Sequence, residues 1–257
     1  MVKYKTREEV EIIKESAQIL GKAHGEVAKL IKPGVTTLEL DRVAEEFIKD
    51  HGGSPSFKNF NGFPSSLCIS LNENVVHGFP SDYELREGDI ISVDCGVFYK
   101  SFHSDSAYTY PVGKVTAEVK QLLQVTKESL HKGIEKAVFG NRIGDVAYAI
   151  QNHVESFGYG IVRELVGHGL GRDLHESPEV PNYGKRGKGP VMKEGLVIAI
   201  EPMINMGTRK VVQEADGWTI RTADRQPSAH FEHTVAVFKE GTEVLTTHKF
   251  IEENIKF

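Results

Sequence analysis

Cysteine is almost missing from this chain. Cys68 and Cys95 are the only two in 257 residues, and they form no CxxC pair. That excludes a disulfide-stapled scaffold and a thiolate metal site, and it fits a reducing cytosol. Free cysteines of this kind usually behave as small buried hydrophobes. Long apolar runs are also missing. None approaches the ~18 residues that a membrane span needs. The start, MVKYKTREEVEII, runs straight into charged helical sequence, so no secretory signal is read there and a cytoplasmic protein is expected. No excess of positive charge exists: 31 Lys and Arg against 36 Asp and Glu leave −5, which gives no global pull toward DNA or an anionic membrane. Low-complexity linkers are absent as well, so residues 1–257 are read as one domain.

What is present is a soluble, globular composition with regular punctuation. Thr6 and Glu9 have capping-box spacing, and Val10, Ile13, Ala17, Leu20, Ala23, Val27 and Leu30 recur by threes and fours. This predicts an amphipathic helix that ends at Pro33-Gly34. Thr36 with Glu39 opens a second helix, which stops at Gly52-Gly53. The segments SLCISL, DIISVDCGVFY and DSAYTYPV read as strands. Two further helices follow, one capped near Thr116 and one from Ile143 that runs out at Gly158. Strands then return at GIVREL, LVIAIE, GWTIR and FEHTVAVF. Two helices followed by strands, twice over, point to a duplicated α+β plan without a residue-level repeat.

Within this frame, five residues stand out: Asp94, Asp105, His168, Glu201 and Glu232. Each lies in a segment that otherwise reads as buried strand or glycine-rich turn. An ionised carboxylate at the end of a buried strand is costly unless a cation or hydrogen bonds compensate it. Four carboxylates with one imidazole suit a hard or borderline divalent ion. Asp94 and Asp105 flank a hairpin. A turn centred on Tyr99-Lys100 would set them directly opposite on adjacent strands, an unfavourable pairing unless a cation lies between. Glu201 precedes Pro202, which holds it in extended geometry at a strand end. Alternation in FEHTVAV puts Glu232, Thr234 and Ala236 on one face. His168 lies between Gly167 and Gly169, which permit unusual φ and close approach of other groups. Each residue has a bland alternative: a loop-capping Asp, a solvated strand-end acid, a satisfied core histidine.

Taken as a set, the motifs decide. NVVHGFP with His77, SVDCGVFYKSFHSDSA with Asp94 and Asp105, GHGLGRDLHESP with His168 and His175, IAIEPM with Glu201 and SAHFEHTV with Glu232 span most of the chain. In these motifs and in the ligand gaps of 11, 63, 33 and 31 residues, the chain resembles the type I methionine aminopeptidases of bacteria. The 33 residues between His168 and Glu201 leave no room for the long helical insertion of type II. The resemblance implies an α/β (α+β) pita-bread fold, a pseudo-twofold curved antiparallel sheet with helices on its outer face. It implies two divalent metal ions, with Co, Mn, Fe, Ni or Zn all admissible on such ligands. Residues matching Asp105 and Glu232 bridge both ions; Asp94 serves one, and His168 with Glu201 the other. Water activated between the ions would attack the scissile carbonyl, with Glu201 taking and returning its proton. His77 is expected at the scissile amide nitrogen and His175 at the developing oxyanion. Phe57, Phe60, Phe63, Cys68 and Trp218 match the walls of a pocket for the methionine side chain. Phe60 and Phe63 stand where relatives often carry Tyr, which leaves side-chain selectivity open.

The resemblance also implies the substrate, the N-terminal Met of nascent peptides whose second residue is small. A monomer is expected. If Lys185, Arg186, Lys188, Arg209, Lys210, Arg221 and Arg225 cluster, they could steer the chain toward a ribosome; the alternative is scattered solvated charges. Two alternatives share the fold: a proline-specific peptidase, which usually carries a larger N-terminal domain, and a non-enzymatic binding protein, which has lost ligands. Nucleotide binding through GHGLG lacks the GxGxxG spacing and is discounted.

Overall fold

The structure, a computed structural model, describes residues 1–255. Helices α1 (Arg7–Leu30) and α2 (Thr37–Asp50) come first, followed by strands β1 (Ser54–Pro55), β2 (Leu67–Leu71), β3 (Asn74–Val76), β4 (Ile90–Tyr99) and β5 (Phe102–Pro111). The second half repeats the order. Helices α3 (Ala117–Ile134) and α4 (Ile143–Glu155) precede β6 (Gly160–Ile161), β7 (Gly167–Gly169), β8 (Glu176–Val180), β9 (Leu196–Ile200) and β10 (Met203–Asn205). Strands β11 (Val211–Gln213), β12 (Ile220–Thr222), β13 (Ser228–His230), β14 (His233–Val237) and β15 (Thr242–Val244) then lead to a short α5 (Lys249–Glu252).

Local chemistry explains the boundaries. Thr6 accepts from the Glu9 amide and the Glu9 carboxylate accepts from the Thr6 amide, so both ends of the capping box are made. The apolar stripe of α1 is buried from Val10 to Val27 against β4, β5 and α2. That helix ends at Leu30, three residues before Pro33. Thr36 and Thr116 cap α2 and α3 by accepting from Glu39 N and Val119 N.

All the sheets are antiparallel. In one, β4 is flanked by β2 and β5, with β1 sharing the β2 side; in another the order is β15-β14-β9-β7-β8. Two smaller sheets, β13-β10-β6 and β11-β12-β3, complete the set. The halves meet where β5 faces the β13–β14 segment. There Thr234 Oγ1 donates to Asp105 O at 2.7 Å, Glu232 N donates to Ala107 O at 2.9 Å, and Thr109 Oγ1 donates to His230 O at 2.8 Å. These bonds act as a seam between the two repeats.

Two expectations are corrected. The β4–β5 turn is centred on Lys100-Ser101, whose φ values of 47° and 69° are both left-handed. That is the primed turn whose twist suits a two-residue hairpin, formed here without Gly or Asn. The register therefore pairs Asp94 with Ala107 and Asp105 with Gly96. Asp94 and Asp105 are diagonal neighbours on one face and are not directly opposite. Glu232, in turn, precedes β14, in the break between β13 and β14. Its place is fixed by the seam hydrogen bond to Ala107.

Candidate metal centre

Each ligand-type side chain is delivered by a different local device. Asp94 and Asp105 project from the same face of the β4–β5 hairpin. Glu201 sits one residue past β9, and its carbonyl accepts from Asn182 Nδ2 at 3.0 Å. His168 is the middle residue of β7, pressed between β8 and β9. The glycines on either side make that fit. A Cβ on Gly167 would lie 2.4 Å from Ala199 O, and one on Gly169 would lie 2.5 Å from Ser177 O. Close approach, and not a left-handed backbone, is what these two glycines supply.

The side chains converge. His168 Nε2 lies 3.6 Å from Glu201 Oε1 and 3.9 Å from Asp105 Oδ2. One ligand atom each from Asp105, His168 and Glu232 fall within 4.8 Å of one another. His168 Nδ1 donates to Gly169 O at 2.9 Å, which leaves the lone pair of Nε2 turned toward the carboxylates. Burial holds the imidazole well down, at about 3, with His175 adding to the effect, so it is neutral and able to ligate.

The carboxylates behave in the opposite sense. Burial pushes Asp94, Asp105, Glu201 and Glu232 above the usual carboxylate range, and neighbouring acids push Asp94, Asp105 and Glu232 further. Asp94 Oδ1, Asp105 Oδ1 and Glu232 Oε1 are buried with no hydrogen-bond partner. Orphaned oxygens on adjacent acids, beside one outward-facing imidazole nitrogen, fit divalent cations: oxygen-rich, one nitrogen, and a negative charge that only cations relieve.

All twelve site residues expected from the sequence line one cavity of about 550 Å³. Acids form its floor, and its wall is apolar. Phe57, Phe63, Cys68 and Leu174 are buried together, with Phe60, Phe79 and Trp218 packed against them. Phe63 meets Trp218 edge-on at 5.3 Å. Cys68 is the cross-strand partner of Asp94, so wall and floor adjoin at that point. Cys68 and Cys95 are both free and buried. His175 stands edge-on to His168 at 4.3 Å and to Phe60 at 5.2 Å. His77 lines the same cavity with φ of 59°. Burial lowers both imidazoles, His77 to about 4, which favours the neutral forms.

Sequence reading passed over His230, Phe79 and Leu174. His230 Nε2 is buried 3.4 Å from Glu201 Oε2. Its spacing of two from Glu232 was the available signal, since such residues share a face of extended chain. Phe79 and Leu174 lie just beyond His77 and just before His175, and nothing in periodicity marks them.

Comparisons with known proteins agree with this geometry. The model of metallopeptidase family M24 matches residues 11–239. A methionine aminopeptidase of Clostridium perfringens is 51% identical over 249 residues, covering 97% of this chain and 100% of the relative. The crystal structure of a methionine aminopeptidase from Thermotoga maritima superposes with a TM-score of 0.94 at 43% identity, covering 96% of this chain and 100% of that one. A prolidase from Pyrococcus furiosus superposes at 0.78 with 25% identity, and only 65% of that longer chain is covered. The architecture is the pita-bread α/β fold of these structures.

Proposed function

Because the chain belongs to metallopeptidase family M24, among the bacterial-type methionine aminopeptidases, we propose that it removes the initiator Met from nascent peptides whose second residue is small. It is a dinuclear-metal exopeptidase of that family. The observation that carries the reading is the meeting of five ligand-type side chains, three with orphaned oxygens, beneath an apolar wall. Asp94, Asp105, His168, Glu201 and Glu232 would hold the metal ions. Two divalent ions supply Lewis acidity and water activated at neutral pH.

The chain's own groups do the rest. Phe57, Phe60, Phe63, Cys68 and Trp218 grip an unbranched thioether, with aromatic rings well suited to sulfur. Glu201, once ionised beside the cations, accepts a proton from the attacking water and returns it to the leaving amine. His77 orients the scissile amide, and His175 donates to the oxyanion. Residues 1–257 act in this reading as one metallopeptidase domain and as a cytoplasmic monomer with no DNA or membrane partner. Among the described residues no helix is long and apolar enough to cross a membrane. The reading extends to transient ribosome contact. Arg221 and Arg225 are tied to Glu214 and Glu73, which leaves Lys185, Arg186, Lys188, Arg209 and Lys210 for that surface.

The test is Met release from Met-Ala-Ser against cleavage of X-Pro peptides, on metal-free and metal-restored protein. Met release that depends on added metal, with X-Pro peptides untouched, is expected. Equal X-Pro cleavage would support the proline-specific alternative. Full activity of metal-free protein would remove the metal from the mechanism.

A further inference from the structure

His175 lies on the turn between β7 and β8, and that turn is fastened from an unexpected place. Glu176, the next residue, has a buried side chain and turns one oxygen back into its own loop. Its Oε1 accepts from Arg172 N at 3.1 Å and Asp173 N at 3.3 Å. The other oxygen, Oε2, accepts from Lys5 Nζ at 2.6 Å, across 171 residues of sequence. Both side chains are almost sealed from solvent, 4% exposed for Lys5 and 2% for Glu176. Lys5 is itself fixed. Its amide donates to Gly195 O at 2.7 Å, and its Nζ also donates to Lys3 O at 3.1 Å. Its stem fills the space that a side chain on Gly171 would occupy, since a Cβ there would come within 2.3 Å of Lys5 Cε. Lys3 adds an exposed ion pair to Asp173.

Stability alone does not account for such a pair. A buried ion pair is often no more stabilising than a well-packed apolar pair of the same volume, while its geometry is far more directional. Here that direction is spent on the turn that presents His175 edge-on to His168. We propose that Lys5, through Glu176, is a positioning residue that sets His175 for the reaction. The inference rests on the reading of His175 as oxyanion donor. A donor displaced by about an ångström loses much of its effect on the rate.

The test uses the full chain. Lys5→Met alone strands a buried carboxylate, so the informative variant is Lys5→Met/Glu176→Gln, which leaves no unpaired charge. With Met-Ala-Ser as substrate, kcat is expected to fall about tenfold, KM to stay within about twofold, and metal content to match the unaltered chain. Hydrogen exchange at the Arg172 and Asp173 amides, read on metal-free protein, is expected to speed up. On a His175→Ala background the double change should lower kcat no further. Unchanged kcat and exchange in the folded variant would overturn the inference, as would a loss that multiplies with that of His175→Ala. Wild-type kcat in His175→Ala itself would instead sink the reading of His175, and this inference with it.

Discussion

His77 offers a test in which backbone and side chain separate. Its φ of 59° is left-handed, a region that L residues seldom occupy, with Asn, Asp and His the commoner exceptions. Its neighbour Gly78 blocks relaxation. Gly78 N donates to Ser70 Oγ at 3.2 Å, and Ile69 N donates to Gly78 O at 2.8 Å. A Cβ on Gly78 would lie 2.2 Å from Ile69 O, so the chain here is locked against β2. The left-handed conformation costs a side-chain-bearing residue about 1–2 kcal/mol, and glycine escapes that cost. Glycine in turn gains about 0.4–1 kcal/mol of freedom in the unfolded chain, which favours unfolding. His77→Gly is therefore expected to be more stable than His77→Ala by about 0.5–1 kcal/mol, although it is the more flexible residue. Both variants lack the imidazole, and both are expected to lose kcat by about 10²–10³ while binding metal normally, if the ring donates to the reacting amide. Urea unfolding of metal-free protein and turnover of Met-Ala-Ser measure the two effects. An alanine variant as stable as the glycine one would refute the strain, and near-normal turnover in either would refute the role of the ring.

Asp105→Asn should abolish metal-dependent turnover and lower metal content, yet metal-free protein should unfold at the same temperature or higher. The change removes a buried carboxyl whose ionisation is opposed by burial and by the neighbouring acids Asp94 and Glu201; a lower metal-free midpoint would contradict this account. His24 contributes to acid sensitivity from the opposite side of β5. Its Nε2 donates to Ser106 O at 3.0 Å, its Nδ1 pairs with Tyr110 Oη at 3.1 Å, and burial lowers it to about 4. A folded value below the unfolded one means that the unfolded chain binds the proton first, so this stability is present above about 6.5 and is lost as pH falls toward 4. The loss is about 3 kcal/mol. His24→Gln should narrow the stability gap to the unaltered chain by that amount between pH 7 and 4, measured by urea unfolding. A gap independent of pH would show that His24 protonates equally well in both states.

Short-range signals in the sequence carried the helices well. Capping at Thr6, Thr36 and Thr116 depends on atoms three residues apart, and all three caps form. The hairpin was legible as a hairpin but not in register. The type of a two-residue turn is set by which φ values become positive, and Lys100-Ser101 carry none of the residues that announce a primed turn. The short strands β7, β10 and β13 left even less trace. With three residues each, they have too little sequence to alternate and exist because neighbours accept their hydrogen bonds. The site residues stood out for a different reason: charged groups in apolar segments conflict with their surroundings, and such conflict is readable without the fold. His230 escaped because a histidine in a mixed segment conflicts with nothing.

The seam gives that conflict its structural consequence. Asp105 and Glu232 belong to different repeats, and the hydrogen bonds joining the repeats run through their own backbone: Thr234 Oγ1 to Asp105 O, and Glu232 N to Ala107 O. Closing the halves therefore brings together buried acids that raise one another's affinity for protons. Cations at this point reverse the sign, turning a repulsive junction into an attractive one, and the free energy of binding them becomes free energy of joining the repeats. Protons compete for the same oxygens, so metal loading should weaken as pH falls. In this fold the ligands are placed where their unrelieved charge opposes closure most directly. Metal capture and the docking of the two halves are thus thermodynamically linked.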